Sequence, residues 1–173
     1  GLNATLIGNK KQEFAILNQE KLSPPLITNI TPSSFPILLR NGHHTQGKDI
    51  RYIETVKQLN QVNTDYAFVV KYIPKIAEFR AHMGGNSCLA LCKKCLLDGE
   101  VGHPIVWSYN HGYKHYTYMQ SKFKDQLIEM AQKAMQTVKY DFGAVDLIVD
   151  KNNRIYVLEV NSGFAEENGI NIG

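Results

Sequence analysis

The chain has 173 residues, 43% hydrophobic and 20% charged, with 19 basic against 16 acidic side chains and a net charge of +3. That balance excludes a disordered chain and a helical membrane protein, and the length suits one domain whose core folds without a disulfide or metal staple. The longest uncharged run, Leu22–Leu39, contains Pro24, Pro25, Pro32 and Pro36 and so cannot be a spanning helix.

In chain order, Asn9-Lys-Lys-Gln12 resembles a capping box and predicts a short helix burying Phe14, Leu17 and Ala15, ended by Ser23-Pro24-Pro25. Phe35–Leu39 reads as a short apolar strand that runs into the loop Arg40–Lys48. Ile50, Ile53, Val56 and Leu59 recur at near-helical spacing, which predicts a second helix from about Asp49. Tyr66–Ile73, Glu78–Met83 and Ser87–Cys95 read as three strands, the last two joined through Gly84-Gly85-Asn86. Cys92 and Cys95 form a CxxC with Cys88 upstream. Zinc would need a fourth ligand, with His103 the nearest, whereas buried thiols are ordinary in an apolar strand. The odd count of three cysteines argues for a reducing, cytoplasmic setting, and no leader opens the chain.

Gly99–Tyr118, rich in Gly, His, Tyr and Asn, reads as a long functional loop with some strand. Phe123, Leu127, Met130, Ala134 and Val138 then form one apolar helical stripe, the signature of core packing. Ala144–Asp150 and Ile155–Asn161 make a hairpin turning at Lys151–Arg154. Helices interleave with hairpins, so the class is α+β.

That hairpin carries the chemistry. A two-residue turn at Asn152-Asn153, or a four-residue loop at 151–154, sets Asp146 opposite Glu159 and Ala144 opposite Asn161. Two facing carboxylates repel by about 0.2–1 kcal/mol at a wet surface, and more when sheltered. Two readings fit the pair. A hard divalent cation such as Mg²⁺ would be held by Asp146, Glu159 and the Asn161 amide oxygen, its shell completed by water and phosphates. Alternatively, one carboxylate is protonated or paired to a Lys or Arg.

Asp141-Phe-Gly-Ala-Val-Asp-Leu-Ile-Val-Asp150 followed by Ile155-Tyr-Val-Leu-Glu-Val-Asn-Ser162 resembles the metal hairpin of the ATP-grasp superfamily, GVDhhh, a turn, then hEhN. Phe35-Pro-Ile-Leu-Leu-Arg40 is similar to its FPvvvK strand and Gly42–Gly47 to its phosphate loop. Phe68-Val-Val-Lys-Tyr-Ile73 is similar to its hinge strand, Glu78-Phe-Arg80 to its E/D-h-R strand, and Asn9-Lys10-Lys11 to its opening segment. The resemblance covers residues 9 to about 168 and is closest to the RimK-like, glutamate-ligase-type branch, including phage-encoded versions.

The resemblance implies an ATP-grasp fold of two small α+β lobes with the nucleotide between antiparallel sheets. Residues 1–173 would form one such domain, with about 26–73 as the smaller clamping lobe and about 9–25 plus 74–173 as the larger metal lobe. It implies an ATP-dependent carboxylate–amine ligase with ATP and one or two Mg²⁺ as cofactors, Mn²⁺ as a substitute. The metal ligands would be Asp146, Glu159 and Asn161. The nucleotide would meet Lys10 or Lys11, Arg40, Gly47, Lys48, the hinge Val69, Val70, Lys71 and Tyr72, and Glu78 at the ribose. Arg80, Lys94 and Asn110 would face the transferred phosphoryl group.

Arg40 stands where the family has a Lys, and Lys71 where a Glu or Gln is common. Glu78 and Arg80 share a strand face and could instead pair with each other, and Lys93 and Lys94 point to opposite faces. His43 and His44 lie in the phosphate loop, and Trp107, Tyr109, His111 and Tyr113 could line an acceptor pocket or pack over the nucleotide. The partners implied are ATP, a carboxylate and an amine acceptor, with neither membrane nor nucleic acid. The pre-ATP-grasp domain that usually precedes this fold in the family is expected to be missing from this chain, and a homo-oligomer or a partner chain would then supply it. The alternative is an ATP-binding module, as fragment, subunit or structural protein, without ligase activity of its own.

Overall fold

A computed structural model describes residues 9–41, 50–63, 65–120 and 122–162. Helix α1 (Lys10–Gln19) starts where Asn9 accepts the Gln12 N–H into its side chain at 3.1 Å. The two side-chain amides also pair at 3.1 Å, in place of the reciprocal backbone bond of a full capping box. Strands β1 (Ile37–Arg40), β2 (Ile50–Ile53) and β3 (Phe68–Lys71) form one sheet in the order β2-β1-β3, with helix α2 (Val56–Asn60) connecting β2 towards β3. Strands β4 (Lys75–Gly84), β5 (Ser87–Leu96), β6 (Tyr113–Thr117), β7 (Phe142–Asp150) and β8 (Ile155–Asn161) form a second, in the order β6-β5-β4-β7-β8, with helix α3 (Lys124–Val138) crossing between β6 and β7. Every strand pairing in both sheets is antiparallel, which makes the class α+β. No helix among the described residues is long and apolar enough to cross a membrane.

The stripe on α3 does what its spacing predicts. Leu127, Ala134 and Val138 are fully buried, and Phe123 and Met130 pack against the same cluster. Beneath them lie Phe79 and Ala81 of β4, Val145, Leu147 and Val149 of β7, and Val157 and Val160 of β8. A 15-residue helix is marginal alone, so this face stabilises it, each buried Leu or Val side chain contributing about 1.5–3 kcal/mol. With alternate residues on this core face, the others on the same strands point the opposite way, and that second face carries the charges.

The helix expected from about Asp49 is corrected. Asp49 lies outside the described residues, and Ile50–Ile53 form β2, paired to β1 with Ile53 opposite Ile37 and Ile50 opposite Arg40. Only Val56–Asn60 is helical, started by Thr55, whose hydroxyl accepts the Gln58 N–H at 3.2 Å. Ile50 and Ile53 are β-branched and flank an aromatic, a composition that suits a strand, and Thr55 is a strong helix start within the supposed helix. The long loop contains β6 and a 3₁₀ turn at Tyr109–His111. Cys88, Cys92 and Cys95 are not joined in disulfides; Cys92 and Cys95 sit three apart on one strand and so face opposite ways, against a shared zinc.

The hairpin register is as expected at its open end: Ala144 opposite Asn161, Val145 opposite Val160, and Asp146 opposite Glu159. Near the turn it is corrected by one residue. The Asp150 N–H bonds the Arg154 carbonyl at 2.9 Å, and Asn153 is left-handed with φ 61°, so the loop holds three residues rather than two or four. Leu147 then faces Val157, and a bulge at Leu158 restores the register before Glu159. Without that extra residue Glu159 would face the core.

Gly143 fixes the other strand of the same end, because a Cβ there would overlap the Asn161 carbonyl oxygen. Backbone cannot yield as a flexible side chain can. Gly143→Ala is expected to cost about 1–3 kcal/mol in urea denaturation, and an unchanged midpoint would show the strands to be further apart.

Candidate functional site

Four strands converge on the face opposite α3. β4 supplies Glu78 and Arg80, β5 Lys94, β7 Asp146, and β8 Glu159 and Asn161. From outside the sheet come Lys10 of α1 and Arg40 of β1. All eight were expected from the sequence, and the structure brings them together as three linked charge groups.

The first is Arg80 with Asp146, directly opposite each other on β4 and β7. Arg80 Nε donates to Asp146 Oδ1 at 2.7 Å and Nη2 to Oδ2 at 3.0 Å, a bidentate fork. Burial pushes the Asp146 carboxyl up, but Arg80, by charge and hydrogen bonds, with Lys94 and His115 behind it, reverses that and holds it below the usual range. The second group surrounds Glu159. Lys10 Nζ lies 3.0 Å from Glu159 Oε1 and donates to the Val160 carbonyl at 2.9 Å and to Asn161 Oδ1 at 3.4 Å. Arg40 Nη2 is 3.9 Å from Glu159 Oε2, while Nη1 donates at 3.3 Å to the carbonyl of Leu158, the bulge residue. The Arg40 guanidinium lies 5.6 Å from the Phe14 ring and 5.5 Å from the Phe68 ring. Its Nε is buried with no hydrogen-bond partner among the described residues, a donor left over for an anion. Burial lowers the Arg40 pKa, opposed by Glu159 and Glu13.

In the third group Glu78 receives Lys75 on one oxygen and Lys94 on the other. Lys94 also donates to the Trp107 carbonyl at 2.8 Å, and Lys75 sits 4.7 Å above the Trp107 ring, which stacks on Tyr113 at 5.1 Å. Thus Glu78 and Arg80 do not pair with each other. The long loop folds over this end of the face through Trp107.

Other expected residues fall elsewhere. Lys11 is exposed, which leaves Lys10 as the lysine on the site, and Asn110 is exposed on the 3₁₀ turn. Gly47 and Lys48, with His43, His44 and the rest of the Gly42–Gly47 loop, lie outside the described residues. Val69 and Val70 are buried in β3, and the Lys71 ammonium points away to the Ser34 and Phe35 carbonyls at 2.9 and 3.0 Å. Tyr72 meets Tyr52 edge-on at 4.8 Å. Residues 25–27 run along the free edge of β3: Ile27 N–H bonds Val69 O, and Lys71 N–H bonds Pro25 O, each at 2.9 Å. Pro25 has no N–H to return, so the Lys71 carbonyl receives no bond from it.

Two charged residues were missed. Lys75 shares a face with Glu78 although three residues away, because a bulge interrupts β4 between Lys75 and Ala77. Glu13 is buried on α1, where its Oε1 accepts the Val160 N–H at 3.0 Å. Burial raises its pKa, against the pull of Lys10 and the Val160 N–H. It stood in the sequence as a charge inside the stripe Lys10, Phe14, Leu17, a legible signal.

Asp146, Glu159 and Asn161 present hard oxygen donors from two adjacent strands, the chemistry that suits Mg²⁺. Their oxygens are held here by Arg80 and Lys10, as the charge-pairing reading allows. Each carboxylate oxygen keeps further lone pairs, so the donor set fits a cation that shares Asp146 with Arg80 and displaces Lys10 from Glu159.

No protein-family model matches the chain, and no curated protein matches it. Solved structures do. D-alanine–D-alanine ligase from Bacillus anthracis complexed with ATP aligns with TM-score 0.68 at 15% identity, over 91% of this chain and 56% of that one. L-amino acid ligase from Bacillus licheniformis gives TM-score 0.68 at 16% identity, over 94% and 42%. The ATP-grasp ligase PsnB complexed with minimal precursor, Mg and ADP gives 0.66 at 11% identity, over 95% and 52%. The chain therefore spans about half the length of the structures it resembles. The fold is the ATP-grasp arrangement.

Proposed function

We propose that this chain is the ATP-binding body of a carboxylate–amine ligase, nearest in its motifs to the RimK-like branch. The observation that carries the reading is the set Asp146, Glu159 and Asn161 on one sheet face, ringed by Lys10, Arg40, Arg80 and Lys94. That is an oxygen donor set for a cation within a cluster of charges suited to a triphosphate. The neighbours crystallised with ATP, or with Mg and ADP, support it.

On this reading Asp146, Glu159 and Asn161 hold Mg²⁺, which when bound neutralises phosphate charge. Arg40, with its spare Nε, and Lys10 bind phosphate oxygens. The Lys71 carbonyl, unanswered by Pro25, is the hinge acceptor for the adenine amine, and Glu78 takes the ribose once Lys75 or Lys94 releases it. A substrate carboxylate oxygen attacks the γ-phosphorus, the bond to ADP breaks, and an acyl phosphate forms. An amine then attacks the acyl carbon, phosphate leaves, and the amine proton passes to solvent. Arg80 and Lys94 orient the phosphoryl group and offset its charge. The substrates' identities rest with the acceptor side.

Calorimetric titration with ATP tests the reading. Binding that requires Mg²⁺, and phosphate release that requires both a carboxylate and an amine, are the expected results. Binding without release across a broad substrate panel would favour an ATP-binding module, and no binding would end both readings.

A further inference from the structure

α1 contributes a carboxylate that no step above uses. Glu13 is only 3% exposed, and its Oε2 lies 3.5 Å from Lys10 Nζ while its Oε1 holds the Val160 N–H at 3.0 Å. Lys10 Nζ also touches Glu159 at 3.0 Å, Asn161 Oδ1 at 3.4 Å and the Val160 carbonyl at 2.9 Å. One ammonium thus stands between two carboxylates, Glu13 on its own helix and Glu159 across on β8. Arg40 approaches Glu159 as well, but at 3.9 Å, and is held independently by the Leu158 carbonyl.

A divalent cation bound at Glu159 Oε1 and Asn161 Oδ1 would compete with Lys10 for both oxygens. With Glu159 as its only carboxylate, the sheltered ammonium would lose its one fixed protein counter-charge at every binding event, whether or not a phosphate oxygen also reached it, and that cost would weaken the cation's hold. Glu13 removes the cost. Lys10 can leave Glu159 and remain charge-paired to Glu13 while still bonded to the Val160 carbonyl.

We propose that Glu13 is a positioning residue that keeps Lys10 paired when Glu159 changes partner from the lysine to a divalent cation. The proposal rests on the metal reading of Glu159 and adds to it a residue with no role in the ligand set. Glu13 touches neither the cation nor the reacting atoms; it acts through Lys10.

The test is a double-mutant cycle on the full chain, with Mn²⁺ affinity measured by water-proton relaxation in saturating ADP. Glu13→Gln keeps an oxygen for the Val160 N–H and removes only the charge. It is expected to weaken Mn²⁺ about 5- to 20-fold in the wild-type background and less than about twofold in Lys10→Met. Equal losses in both backgrounds, or none in either, overturn the proposal. A wild-type crystal structure with Mg²⁺ and ADP tests it without substitution: Lys10 on Glu13 and away from Glu159 supports it, and Lys10 turned from Glu13 overturns it. Glu159→Ala in the same assay separates the premise, since wild-type affinity in that variant would sink the metal reading itself.

Discussion

Arg80→Ala is expected to destabilise the fold by about 3–5 kcal/mol at neutral pH, because it strands the Asp146 carboxylate in a site where that side chain is 12% exposed. The pH dependence gives the sharper signature. In the wild type the folded Asp146 titrates below its ordinary 3.8, so its stabilisation is fully present above that value and is lost as pH falls through the lower, folded one. In the variant burial still pushes the carboxyl up, and Lys94 and His115 only temper the push. Its folded form then holds the proton more tightly than its unfolded form, so acidification lowers the cost. Urea denaturation from pH 7 to pH 3 should therefore show the two proteins converging, and parallel curves would mean that Asp146 is not the group stranded.

Glu159→Ala carries the largest functional consequence. Loss of the carboxylate at the centre of the oxygen set is expected to lower Mg-ATP affinity at least 100-fold, about 2.7 kcal/mol, by calorimetry. The fold should persist, since Lys10 keeps Glu13 and Arg40 keeps the Leu158 carbonyl and its two aromatic rings. Circular dichroism of the same sample checks this. A folded variant that binds Mg-ATP as the wild type does would remove Glu159 from the site.

Those two residues also show what a sequence can and cannot reveal. Glu159 and Asp146 could be paired in advance because a short turn joins their strands and a period of two then assigns faces. The pairing holds with a loop of three residues rather than two or four only because the Leu158 bulge offsets the shift. Arg80 and Asp146 are 66 residues apart with α3 between their strands, so no local pattern fixes their register, and the resemblance gave them separate tasks where the structure joins them. α3 was legible because its stripe repeats over four turns. β2 was not, because Ile50, Ile53 and Val56 mimic a helical period across the boundary between a strand and a helix. Lys75 reaches Glu78 only through a bulge, which alternation cannot anticipate.

The covering of β8 by α1 bears on assembly. β8 is the outer strand of its sheet, and its exposed backbone groups are met by the opposite end of the chain: Val160 N–H by Glu13, the Val160 carbonyl by Lys10, and Val157 N–H by the Leu22 carbonyl at 2.8 Å. The first two contacts close sequence separations of 147 and 150 residues. Contacts so distant carry a larger loop-closure cost than the hairpin's own pairing, so the oxygen donors of β8 are expected to acquire their surroundings after the hairpin has paired. Until then the strand offers a bare ladder to any other chain. Removing α1 would make that exposure permanent and turn the β7–β8 hairpin into a template for edge-to-edge aggregation.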